Sequence, residues 1–100
     1  MKKVRYMPSA LERLTEVLDF YKKKLSEDQL TELLIGIMDR GDSLGHSYGL
    51  GQIEPTLENL ELGHRRIIEG HVKIIYRIDG EVVTVIDFFD SRMNPKKVKR

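Results

Sequence analysis

One hundred residues suffice for one domain, 1–100. With 40% apolar and 33% charged residues the chain reads as a folded globular domain rather than a disordered one. The absence of cysteine excludes a disulfide scaffold, a thiol nucleophile and any Cys-ligated zinc or iron–sulfur centre. No apolar stretch approaches a membrane span or a signal peptide, so no membrane partner and a cytoplasmic location are expected. The net charge of +1 conceals an asymmetry. Residues 1–62 carry eight Lys/Arg against eleven Asp/Glu, whereas residues 63–100 carry nine against five. The C-terminal half therefore suits an acidic partner, nucleic acid or protein, unless the basic end is only a solvated tail.

In chain order, residues 2–7 alternate polar and apolar up to Pro8, which predicts a short strand. Ser9 and Glu12 have the spacing of a capping box. From there Ala10, Leu11, Leu14, Val17, Leu18 and Tyr21 recur at three- and four-residue steps, predicting a helix that ends near Lys24. Ser26 and Gln29 repeat the capping pattern, and Leu30, Leu33, Leu34, Ile37 and Met38 continue with helical spacing to an end between Gly41 and Gly45. So short a link predicts an antiparallel helical hairpin. Gly36, unfavourable inside a helix, marks a close backbone contact. Residues 45–63 read as a long loop with a helical turn at 56–61.

The last third is β, with strands at 64–69, 71–78 and 81–90. Asp79-Gly80 is a hairpin signal that would pair Ile78 with Glu81, Tyr76 with Val83, Ile74 with Val85 and Val72 with Asp87. Val72, Ile74, Tyr76, Ile78, Val83 and Val85, joined by Ile67, would then face the helices. The outer face would combine the cations Arg66, Lys73 and Arg77 with an apolar stripe of Ile68, Ile75, Ile86 and Phe88. An apolar stripe rimmed by charge marks an interface, unless the 45–63 loop or the C-terminal tail covers it. The fold class is α+β: strand, helical hairpin, then a three-stranded antiparallel meander, with the helices on one sheet face.

His46, His64 and His71 fit no compact metal-ligand spacing, so no metal and no cofactor are expected. Ser9 and Ser26 read as caps, and no serine stands in a nucleophile elbow. General acid–base work on RNA stays open, with His64 or His71 to move a proton and Arg66, Lys73 or Arg77 to stabilise charge. A solvated sheet face accounts for the same residues.

The run from Gly63-His64-Arg65-Arg66-Ile67-Ile68-Glu69-Gly70 through Ile74-Ile75-Tyr76-Arg77-Ile78, followed by Phe88-Phe89-Asp90-Ser91-Arg92-Met93-Asn94-Pro95-Lys96-Lys97, resembles the RelE/ParE superfamily of bacterial type II toxins, closer to the ParE branch. Gly51-Gln52-Ile53-Glu54-Pro55 resembles the family as well. The resemblance implies a toxin neutralised by a cognate antitoxin, ParD-like or other, whose acidic C-terminal segment folds on binding. It implies one of two targets. ParE-like toxins poison DNA gyrase without catalysis of their own; RelE-like toxins cleave mRNA on the ribosome and commonly use a Tyr or His at the end of the last strand. Here that strand ends in Phe89-Asp90-Ser91, and no Tyr or His follows Tyr76. The departure favours gyrase, no catalytic residue and an Asp90–Arg92 ion pair at the strand end. The expected target-binding residues are Arg65, Arg66, Lys73, Arg77, Arg92, Lys96 and Lys97. The expected antitoxin-binding residues are Ile68, Ile75, Ile86 and Phe88. An inert binding module is the remaining alternative.

Overall fold

A computed structural model of the chain describes residues 1–53 and 63–93. The elements follow in the order β1 (Lys3–Tyr6), α1 (Pro8–Lys22), α2 (Glu27–Asp42), α3 (Leu44–Ser47), β2 (Gln52–Ile53), β3 (Arg65–Glu69), β4 (Val72–Asp79) and β5 (Val82–Asp90). The described strands form one sheet in the order β1-β5-β4-β3-β2. β1 lies parallel to β5, and the other neighbours are antiparallel. This is the expected strand, helical hairpin and meander. The expected turn at 56–61 lies outside the described residues.

Pro8 opens α1, and Met7 rather than Ser9 is its N-cap, with no side-chain cap bond. Pro carries a φ already suited to the first helical turn and needs no N–H partner there, so the helix starts before the serine. The Met7 carbonyl takes the amides of Ala10 and Leu11. The predicted Ser9 capping box is therefore not formed. The second box is: the Gln29 amide donates to Ser26 Oγ at 3.2 Å, and the Ser26 amide donates to Gln29 Oε1 at 2.9 Å. α1 buries Ala10, Leu14, Val17 and Tyr21, and leaves Leu11 exposed. α2 buries Ile37 and Gly41. A Cβ at Gly36 would meet the Glu69 carboxylate at 3.3 Å, so the close contact read from that glycine is with a side chain of β3.

The β4–β5 hairpin departs from the expected register in two places. Its loop is Gly80-Glu81, because Asp79 stays in the ladder opposite Val82. The Asp79 carboxylate accepts from Arg77 Nε at 2.9 Å and from Thr84 Oγ1 at 3.2 Å, which ties it to the strands, while Gly80 takes the positive φ of +60°. Tyr76 consequently faces Val85. The pairing then slips: Ile75 faces Asp87, Ile74 faces Phe88 and Val72 faces Asp90. Ile86 is the additional residue of this bulge, and each residue beyond it changes side.

That slip overturns the expected place of Phe88. It is fully buried on the helix side, in the core with Ile37, Leu44, Ile74, Val83 and Val85, its ring stacked on Tyr6 at 6.2 Å. Burying a ring this size contributes about 1.5–3 kcal/mol. Ile78, expected in the core, is 37% exposed at the hairpin end.

Tyr76 fixes the segment between α3 and β2. Its buried hydroxyl donates to the Tyr48 carbonyl at 2.7 Å and accepts from the Gly51 amide at 3.1 Å. Gly51 has no room for a side chain, since a Cβ would lie 2.1 Å from that hydroxyl and 2.9 Å from the Arg66 carbonyl. Nothing lies within 4 Å of a Cβ at Gly49. Gly51→Ala should therefore lower unfolding stability by about 2 kcal/mol or more in a denaturant titration, and Gly49→Ala by under about 0.5 kcal/mol. Equal effects would show that the packing around Tyr76 is looser than described.

Candidate functional site

Alternation along the strands places Arg66, Lys73 and Arg77 on the sheet face away from the helices. Arg66 faces Ile75 on one side and Gln52 on the other, and its guanidinium donates to Gln52 Oε1 at 3.1 Å. Lys73 lies between Ile68 and Phe89. Arg77 is opposite Thr84, and Thr84 is opposite Arg5. Arg5 and its strand neighbour Lys3 are exposed and extend this cationic face across β1. Sequence reasoning missed both. Their alternation was visible, but the pairing of β1 with β5, some eighty positions away, has no local signature.

The remaining predicted cations are elsewhere. Arg65 lies opposite Tyr76, on the helix side, and donates to the Gly51 carbonyl at 2.7 Å. Arg92 closes a polar cluster at the end of α1. Its guanidinium donates to the Tyr21 hydroxyl and covers the Tyr21 ring at 5.1 Å, and its backbone amide donates to Asp90 Oδ1 at 2.8 Å. Tyr21 in turn donates to Asp90 Oδ2. Asp90 is wholly buried, and these donors satisfy a carboxylate that would otherwise be costly to bury. The Asp90–Arg92 ion pair inferred from the sequence is present, with Nε 3.7 Å from Oδ1. Burial and the adjacent Asp90 push the Tyr21 hydroxyl above its ordinary pKa. Lys96 and Lys97 lie outside the described residues.

The apolar stripe is not a continuous exposed surface. Ile68 is 50% exposed, Ile86 half-buried and Ile75 buried, while Phe88 belongs to the core. Ile68 instead borders an open hollow of about 230 Å³, lined by Arg40, Leu50, Gln52, Arg66, Ile67 and Ile68.

His64 is buried, and its Nδ1 has no hydrogen-bond partner. Burial, then the Arg77 charge, holds it below the ordinary histidine range, so the ring is neutral near pH 7. His71 is exposed at the β3–β4 turn. The described residues contain no group of three His, Cys, Asp or Glu placed to hold a metal, and no helix long and apolar enough to cross a membrane.

No protein-family model matches the chain, and no curated protein does. Solved structures do. A chain from a structure described as "Chromosomal ParDE TA system from P. aeruginosa" superposes with a TM-score of 0.73 at 16% identity, over 90% of this chain and 96% of that one. The fold is shared. The likeness establishes the architecture that the sequence resemblance implied.

Asp87 supplies a test of the sheet's electrostatics. It is buried opposite Ile75, with Arg13 Nε of α1 3.5 Å from its Oδ1. Burial pushes its carboxyl up to about 6, with Arg13 opposing the shift. An unfolded Asp titrates near 3.9, so between about pH 4 and 6 the folded chain binds more protons and Asp87 weakens stability as pH rises. In urea titrations the stability of Asp87→Asn relative to the parent should therefore increase over that window, by on the order of 1–2 kcal/mol, and level off above it. A pH-independent difference would mean that Asp87 titrates normally.

Proposed function

We propose that this chain is the toxin of a bacterial type II toxin–antitoxin pair, acting on DNA gyrase in the ParE manner and neutralised by a cognate antitoxin. The shared fold with a chain from a ParDE system carries the reading. The RelE/ParE-like order of residues from Gly63 to Lys97 supports it independently.

The end of β5 supports gyrase over mRNA cleavage. No Tyr or His follows Tyr76 in the sequence. Asp90 and Arg92 are engaged with each other and with Tyr21, in an arrangement suited to closing the strand end rather than to proton transfer. Arg66, Lys73 and Arg77, extended by Lys3 and Arg5, form the surface that meets the target. Such a row suits the phosphates of gyrase-bound DNA or an acidic protein surface.

A second reading, ribosome-dependent mRNA cleavage, draws on a single observation: neutral His64 lies close enough to Arg77 to feel its charge, a base beside a cation. Its burial counts against it.

Purified protein mixed with gyrase, ATP and supercoiled plasmid should raise the yield of linear DNA released by detergent and protease. The double variant Arg66→Ala/Lys73→Ala should lower that yield at least tenfold while its unfolding midpoint stays near the parent's. No added cleavage by the parent would sink the gyrase assignment. Codon-positioned mRNA cuts in a translating extract, lost in His64→Ala, would establish the second reading.

A further inference from the structure

The hairpin end of the outer sheet face sets an exposed acid among three cations. Register and alternation put Arg5, Thr84 and Arg77 in a row across β1, β5 and β4, and Lys3, Val82 and Asp79 in the next row. Lys3, Arg5 and Asp79 are exposed, and Arg77 is half-buried. Thr84, between the two arginines, is only 3% exposed.

Asp79 meets this row through a single oxygen. Its Oδ2 accepts from Arg77 Nε at 2.9 Å and from Thr84 Oγ1 at 3.2 Å. The Arg77 hydrogen bond first, then the Arg77 charge, Thr84 and the Arg5 charge, hold the carboxyl below its ordinary pKa against the cost of desolvation. The group is therefore an anion throughout the neutral range. A guanidinium and a hydroxyl thus converge on one charged oxygen, with a second guanidinium on the neighbouring strand. Arginine and threonine side chains are the donors that recur at nucleic-acid phosphates. A phosphodiester offers two charged oxygens on a tetrahedral centre. One can take the place of Asp79 Oδ2 while the other reaches Arg5, which acts on the Asp79 carboxylate through its charge.

We infer that Asp79 is a resident anion at a phosphate site: its carboxylate stands where a backbone phosphate of nucleic acid binds against Arg77, Thr84 and Arg5, and it gives way on binding. The inference rests on the reading of the cationic face as the target surface and deepens it, naming phosphate as the ligand and Asp79 as the residue that restrains it. In the free chain Asp79 keeps Arg77 oriented and neutralised, which weakens the attraction of this corner for polyanions until a phosphate displaces it.

The test measures binding of the full chain to a short mixed-sequence DNA duplex. Asp79→Asn keeps an acceptor oxygen for Thr84 and Arg77 but loses the charge. It should bind about fivefold tighter than the parent at about 0.1 M salt, with an unfolding midpoint near the parent's. The plot of log affinity against log salt should steepen by about 0.9, the release expected for one further phosphate contact. In an Arg77→Gln background the same substitution should change affinity by less than about twofold. An equal gain with and without Arg77 overturns the site and leaves only a general charge effect. Unchanged or weaker binding by Asp79→Asn, or no duplex binding by either protein, overturns it as well. A gain for polyglutamate but not for DNA assigns the corner to an acidic protein surface instead. The gyrase cleavage assay is read separately: added cleavage without the Asp79 effect leaves the gyrase reading standing, and the Asp79 effect without added cleavage leaves the phosphate site standing.

Discussion

Ile86 is the additional residue that β5 carries opposite the Ile75–Tyr76 step of β4, and the rest of the sheet depends on it. On the hairpin side of that step, Val83 and Val85 face the helices and Thr84 faces outward. Beyond it, the even-numbered residues face the helices, so Phe88 enters the core and Asp90 reaches the end of α1. An uninterrupted ladder would expose Phe88 and put the Asp90 carboxylate on the cationic face, away from Tyr21. The bulge thus gives α1 both a ring to pack on and an acid to bind.

Two tyrosines convert that packing into fixed positions for the flanking segments. Tyr21 anchors the end of β5 through Asp90 and Arg92. Tyr76 anchors the approach to β2 through Tyr48 and Gly51. Each hydroxyl is a buried polar group with partners of opposite role, so removing it would leave those partners unsatisfied at a cost of about 1–3 kcal/mol. Arg65 and Arg92, adjacent in sequence to surface cations or basic tails, are used in these anchors. The cations left on the outer face are those whose strand parity points them away from the helices.

Much of this was legible in the residues. Helical spacing gave α1 and α2, Ser26 and Gln29 gave a cap, and alternation gave the β4 faces. The failures have specific causes. Pro8 started α1 ahead of Ser9, because a fixed φ suits the first turn whether or not a hydroxyl follows. Asp79-Gly80 has hairpin chemistry, but Thr84 and Arg77 hold Asp79 in the strand, a cross-strand contact that the dipeptide cannot reveal. The bulge was hard to read because Val82, Val83, Val85, Ile86, Phe88 and Phe89 make the strand apolar on both faces, and the one sign of it, Asp87 set opposite Val72 on the helix side by an uninterrupted ladder, was passed over. For the site, Arg66, Lys73 and Arg77 were found by parity. Lys3 and Arg5 were missed because their strand joins from the other end of the chain. Arg40 and Leu50 were missed because a hollow between elements has no sequence period.

On the proposed reading, the cationic sheet face of Arg66, Lys73 and Arg77, extended by Lys3 and Arg5, is the surface offered to a target. Induction of this chain alone in bacteria, followed for growth, DNA-damage response and message integrity, tests the central claim most directly. Growth arrest with filamentation, DNA breaks and intact message is the predicted result. Arrest with rapid loss of translated mRNA and undamaged DNA, or no arrest at all, would contradict it.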